Sequence, residues 1–143
     1  MAGQPSDCIF CQIAAGEIPC YKIYEDDVFL AFLDVQPWVE GHTLVIPKKH
    51  YRWVWDLPPE VSAKKGEPTI GEYFVVCRKI ANHYRKVLGT EFIMSYIYGY
   101  DVPHAHIHLF PNARRKIALY PRQKLPRLSF ETGNRLLRKL RLK

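Results

Sequence analysis

The segment Pro103-His104-Ala105-His106-Ile107-His108-Leu109-Phe110-Pro111 constrains this chain more than any other. Histidines alternate with apolar residues, and a β-strand repeats every two residues. His104, His106 and His108 therefore share one face, roughly 7 Å apart between neighbouring Cα atoms of the row. Ala105, Ile107 and Leu109 take the other face, which must pack on a core. Three imidazoles on one face serve stability poorly, because each brings two ring nitrogens that need partners when buried. The row reads as a site of chemistry, a metal site or a solvated surface row.

At 143 residues, 48% of them hydrophobic, the chain is sized for one domain with one core. Cys8 to Ala15 suits a short helix ended by Gly16 and Pro19. Tyr21–Tyr24 and Val28–Leu33 flank Glu25-Asp26-Asp27 as a hairpin would. Pro37 to Gly41 reads as a turn, His42–Ile46 as a third strand cut by Pro47, and residues 57–70 as a loop. Thr69-x-x-Glu72 is a capping-box pattern. Tyr73, Phe74, Cys77, Ile80, Ala81, Tyr84, Val87 and Leu88 follow at helical spacing, up to Gly89. Phe92–Tyr98 and His104–Leu109 read as two more strands. Leu136, Leu137 and Leu140 lie on a basic helix near the C-terminus. The order predicts an α+β domain with a mainly antiparallel sheet, one short and one long helix, and a basic C-terminal extension.

The net charge of +7 is uneven: residues 1–111 carry 10 basic and 13 acidic side chains, residues 112–143 carry 11 basic and one acidic. The basic segment is expected to steer anionic partners, nucleic acid among them, or to be a solvated surface. No apolar run approaches a membrane span. The residues after Met1 lack the basic start and apolar core of a signal peptide, so a cytoplasmic protein with reduced cysteines is expected. His83, Lys48 and Lys49 are expected at the surface, and Cys20 and Cys77 as small fillers.

Cys8-x-x-Cys11 then reads as a metal or redox pair. With His50 it offers three zinc ligands. His104 supplies a fourth, completing a tetrahedral site and leaving His106 and His108 for chemistry.

His104-Ala105-His106-Ile107-His108-Leu109 resembles the signature of the histidine triad (HIT) superfamily. Cys8-Ile9-Phe10-Cys11, Glu17-Ile18-Pro19, Tyr24-Glu25-Asp26-Asp27, Ala31-Phe32-Leu33-Asp34 and Gly41-His42-Thr43-Leu44-Val45-Ile46-Pro47-Lys48-Lys49-His50 resemble its N-terminal half in the same order. The branch containing the adenosine phosphoramidases of the Hint type is the most similar. The resemblance implies a HIT-like fold over residues 1–111, with a five-stranded antiparallel sheet, and a homodimer. It implies an AMP-like purine nucleotide substrate and His106 as the nucleophile that forms a nucleotidyl-histidine intermediate. His108 and His42 match positions that contact phosphate or order the site. Phe10, Ile13, Phe32, Val35 and Leu44 match residues around the base, and Asp34 matches the carboxylate that accepts from the ribose hydroxyls.

The chain departs from the family before the triad, at Gly99-Tyr100-Asp101-Val102-Pro103. Gly99 matches, Tyr100 replaces a glutamine, and Asp101 stands where a serine or threonine often helps the leaving group. An acid there repels phosphate unless it is protonated or paired. Ser95 is the expected substitute for a missing phosphate-contacting asparagine. Three readings follow: a nucleoside phosphoramidate or nucleoside-phosphate hydrolase; a dinucleoside polyphosphate hydrolase or nucleic-acid deadenylase; and a zinc-stabilised nucleotide-binding adaptor.

Overall fold

The computed structural model describes residues 7–111 and 124–143. The helices are α1 (Ile9–Ala14), α2 (Ile70–Leu88) and α3 (Phe130–Leu140). The strands are β1 (Lys22–Glu25), β2 (Phe29–Leu33), β3 (Thr43–Pro47), β4 (Ile93–Tyr96) and β5 (Ile107–Pro111). They form one antiparallel sheet in the order β1-β2-β3-β5-β4. This is the α+β architecture expected.

The helix α2 starts where its capping box predicts. Thr69 Oγ1 accepts from the Glu72 N–H at 3.1 Å, and Glu72 accepts from the Thr69 N–H at 3.0 Å. It ends at Gly89, in the left-handed conformation with φ +62°. Its apolar stripe of Tyr73, Val76, Cys77, Ile80 and Tyr84 packs with Ala31, Leu33, Val45, Ala105, Ile107 and Leu109. The second sheet face carries Leu30, Phe32, Leu44 and Ile46, packed with Cys8 and Phe10 around α1. β2 and β3 are thus buried on both faces, which explains their unbroken apolar runs. The helix α3 joins the α2 side: Leu136 and Leu140 enter the core, and Gly133 lies against the Tyr21 ring. No described helix is long and apolar enough to cross a membrane.

The triad strand differs from expectation. β5 begins at Ile107, not His104, and runs on to Pro111. Pro47, expected to cut β3, is its last residue and pairs with Phe29. One register explains both. The Lys48 N–H bonds the Val28 carbonyl at 2.8 Å. By alternation, Pro47 turns its backbone N and O toward the β5 side. There the pairing stops at Val45 and Ile107. The missing N–H of Pro47 therefore breaks no ladder bond, and its carbonyl remains free for a side chain.

Candidate active site and metal cluster

His104 takes that carbonyl: its Nε2–H donates to Pro47 O at 2.8 Å. The bond fixes the tautomer, so Nδ1 presents a lone pair. Nδ1 lies 3.3 Å from Cys8 Sγ and 3.4 Å from Cys11 Sγ, and His50 Nδ1 lies 3.3 Å from Cys11 Sγ. All four donor atoms fall within 4.8 Å of one another. Two sulfurs and two imidazole nitrogens at these spacings fit the edges of a tetrahedron around zinc, with bonds of about 2.0–2.3 Å. The Cys11 thiol, pushed up to about 12 by burial and by Cys8 beside it, ionises there only with a cation's help. The four sequence-predicted ligands are thus brought together.

His106 is 2% exposed, and its Nδ1–H donates to the His104 carbonyl at 2.6 Å. Its Nε2 meets Asp101 Oδ1 at 3.2 Å. A carboxylate and a ring lone pair do not meet without a proton between them, so Asp101 and Nε2 share one. The bond from His106 holds the Asp101 carboxyl below the usual carboxylate range. Asp101 is therefore paired, which satisfies the condition set by its sequence.

His108 and His42 form a relay whose direction the backbone sets. The Trp38 N–H donates to His42 Nδ1 at 3.2 Å. His42 Nε2 must then carry the proton, which it donates to His108 Nδ1 at 2.8 Å. That leaves the proton of His108 on Nε2, which is buried and has no hydrogen-bond partner among the described residues. Burial first, and then a neighbouring ring's charge (that of His108 on His42, that of His106 on His108), keep the pair neutral: His42 is pushed down to about 2 and His108 to about 3. Because these nitrogens bond each other, the His42–His108 pair is a donor relay rather than a second metal site.

Tyr98, which the sequence did not single out, stacks on His108 with centroids 5.2 Å apart and planes 10° apart. Phe10 stands edge-on to His106 at 5.3 Å and to Phe32 at 5.6 Å. Phe10, Ile13, Phe32 and Leu44 share one cluster on the triad face. Val35 lies outside it, just past β2, its carbonyl accepting from the Leu128 N–H at 2.9 Å. Asp34 Oδ1 accepts from the Gln36 N–H at 2.8 Å, and Oδ2 lies 3.7 Å from His42 Nδ1. Burial raises its carboxyl above the ordinary value.

Ser95 does not reach this site. It pairs with Leu109 across β4 and β5. Paired residues share a face, so Ser95 lies on the α2 side while the histidines occupy the other. The missing asparagine has no substitute at Ser95. Its neighbours Met94 and Tyr96, paired with Phe110 and His108, are the β4 residues on the triad face.

Gly99 shapes the loop that carries Asp101. Its φ is +67°, and an added Cβ would come within 2.8 Å of the Trp53 ring. Arg52 holds that ring from its guanidinium at 3.8 Å. Gly99→Ala is expected to cost about 2 kcal/mol, from left-handed strain and the clash together. Thermal melts of Gly99→Ala and of Gly99→Ala with Trp53→Ala check this: the second change should recover the clash part only. An unchanged melt in the single variant would show that the loop relaxes freely.

The HIT domain family profile matches residues 15–115. The chain is 35% identical over 137 residues to an uncharacterized HIT-like protein of Borreliella burgdorferi, covering 91% of this chain and 86% of that one. It is 35% identical over 112 residues to the adenosine 5'-monophosphoramidase hnt1 of Schizosaccharomyces pombe, covering 78% and 79%. The crystal structure of a Zn-bound histidine triad family protein from Mycobacterium smegmatis superposes with a TM-score of 0.72 at 32% identity, covering 96% and 95%. The profile match spans the triad, the His42 relay and the sheet that holds them, and the chain belongs to the HIT domain family.

Proposed function

We propose that the chain hydrolyses nucleoside phosphoramidates, AMP-like in their nucleotide part, through a nucleotidyl intermediate on His106. The relay from Trp38 through His42 carries this reading, because it ends in a buried, unpartnered N–H on His108 beside His106. An N–H so placed suits a phosphoryl oxygen whose charge grows in the transition state. With Nδ1–H engaged by His104, only Nε2 of His106 can attack phosphorus.

The proton balance is local. The Nε2 proton passes to Asp101 as substrate seats, Nε2 bonds to phosphorus, and the P–N bond breaks. Asp101 gives that proton to the departing nitrogen. Water then attacks phosphorus as the P–Nε2 bond breaks, Asp101 takes the water's proton and shares it again with the freed Nε2, and AMP leaves. Phe10, Ile13, Phe32, Val35 and Leu44 would enclose the base, and Asp34 would accept from the ribose hydroxyls. Gly99 would turn the Asp101 loop toward the phosphate.

Cys8, Cys11, His50 and His104 would hold zinc in a structural role, tying α1 to the residues after β3 and before β5. The homodimer belongs to the same proposal: β4 is an edge strand, and Phe74 and Val75 stand exposed on α2.

The test is turnover of an adenosine 5'-phosphoramidate, with label on the α-phosphate trapped by rapid acid-free denaturation. AMP should be released and labelled peptide should map to His106. Proven turnover with label repeatedly absent from His106 would overturn the intermediate. Diadenosine polyphosphates and adenylated DNA, assayed in parallel, would show whether larger leaving groups are accepted.

A further inference from the structure

The proposed phosphate site is short of positive charge. His42 and His108 are neutral, the proton on His106 is matched by Asp101, and a second carboxylate, Asp34, lies 3.7 Å from His42 Nδ1. A nucleotide phosphate entering such a site meets repulsion that the donor N–H of His108 alone offsets only in part.

Residues 124–129 run alongside the loop that follows β2. The Leu125 N–H bonds the Pro37 carbonyl at 2.8 Å, and the Leu128 N–H bonds the Val35 carbonyl at 2.9 Å. These bonds fix Lys124 at the upstream end of the strap, with Nζ over the Trp38 ring at 5.5 Å. Trp38 is the residue whose backbone N–H starts the His42–His108 relay. The ammonium is also close enough for its charge to act on Asp34, His42 and His108 together, as a secondary effect after burial. The side chain itself is exposed and forms no ion pair among the described residues; a cation resting on an aromatic face is held loosely enough to swing to a better partner.

We propose that Lys124 is the phosphate-binding cation of this site, delivered in cis by the strap at residues 124–129 and received from the Trp38 ring when an anionic nucleotide seats against His108. The inference rests on the nucleotide reading above. It gives the basic C-terminal segment a specific duty: the chain should distinguish a nucleotide from its uncharged nucleoside chiefly through this one side chain.

Calorimetric titration of wild type, Lys124→Ala, Lys124→Glu and Lys124→Arg with AMP and with adenosine tests it. Lys124→Ala should bind AMP about tenfold more weakly, and Lys124→Glu more weakly still, as expected for one close charge pair gained or reversed. Lys124→Arg should stay near wild type, and adenosine binding should be unchanged in all three. Raising salt should weaken AMP binding in wild type more than in Lys124→Ala. Melting temperatures should match, since the side chain packs into no core. A wild type that binds AMP, with Lys124→Ala binding it equally, overturns this inference alone. Equal losses for AMP and adenosine also overturn it, by showing a displaced strap. A wild type that binds no AMP overturns both this inference and the function it rests on.

Discussion

His106→Ala is expected to lower turnover of an adenosine phosphoramidate by about four orders of magnitude or more while AMP binding stays within a few-fold of wild type. The asymmetry follows from what each nitrogen does. Nδ1–H is committed to the His104 carbonyl, so this ring contributes a nucleophile and little else to ground-state binding. Removing it deletes the covalent route and leaves the base cluster, Asp34 and the His108 N–H in place. His108→Ala should behave differently. It removes a donor to the phosphoryl oxygen and should cost about 10²–10³-fold, with AMP affinity falling too. The truncation at position 106 also frees Asp101, whose charge would then face the incoming phosphate unpaired. Adding Asp101→Asn in the same background should therefore restore any AMP affinity lost. Single-turnover kinetics and calorimetry on the three variants decide the matter. A His106→Ala protein that turns over at the wild-type rate would end the nucleophile assignment, and one that also loses AMP binding tenfold would show that the ring mainly holds the pocket.

Alternation at residues 104–109 carried the triad, because two-residue periodicity survives even where the ladder does not. His104, Ala105 and His106 lie outside β5, yet Ala105 is still in the core and both histidines face away from it. The capping box at Thr69 and the glycine at position 89 gave the long helix its ends, since both signals are local. The clustering of Cys8, Cys11, His50 and His104 was legible from ligand chemistry, although the four residues span 96 positions. What stayed hidden depends on backbone atoms or on register. Nothing in the letter W at position 38 says that its N–H orders two histidines. Ser95 was misplaced because a shift of one residue in the β4 register moves a side chain to the opposite face. Asp101 looked like a misplaced charge because its partner's proton cannot be read from a sequence. Lys124 lies far from the site along the chain, and only the strap's hydrogen bonds with residues 35 and 37 bring it there.

Removing the zinc proposed for Cys8, Cys11, His50 and His104 should have the second largest effect, on stability first and on catalysis through it. Cys8 and Cys11 flank the start of α1, His50 follows β3 and His104 precedes β5. Among the described residues, α1 has no acidic first turn and no side-chain cap, and it is six residues long. A helix that short does not hold itself together. An ion present at about a thousandfold over its Kd stabilises the folded state by roughly 4 kcal/mol, or roughly 10 °C in melting temperature for a domain of this size. Chelation of the purified protein and Cys11→Ser should each lower the melt by about that amount, with zinc leaving the protein in step. Cys20→Ser, outside the donor set, should do neither. Catalysis should fall as well, because the carbonyl that fixes the His106 tautomer belongs to His104, one of the four ligands. Releasing His104 lets Nδ1 of His106 lose its acceptor and lets the proton move to the attacking nitrogen. Elemental analysis beside the melts separates the possibilities: a sample free of zinc that melts where wild type melts, and keeps its rate, would mean that Cys8, Cys11, His50 and His104 hold the fold as hydrogen-bonded side chains without an ion.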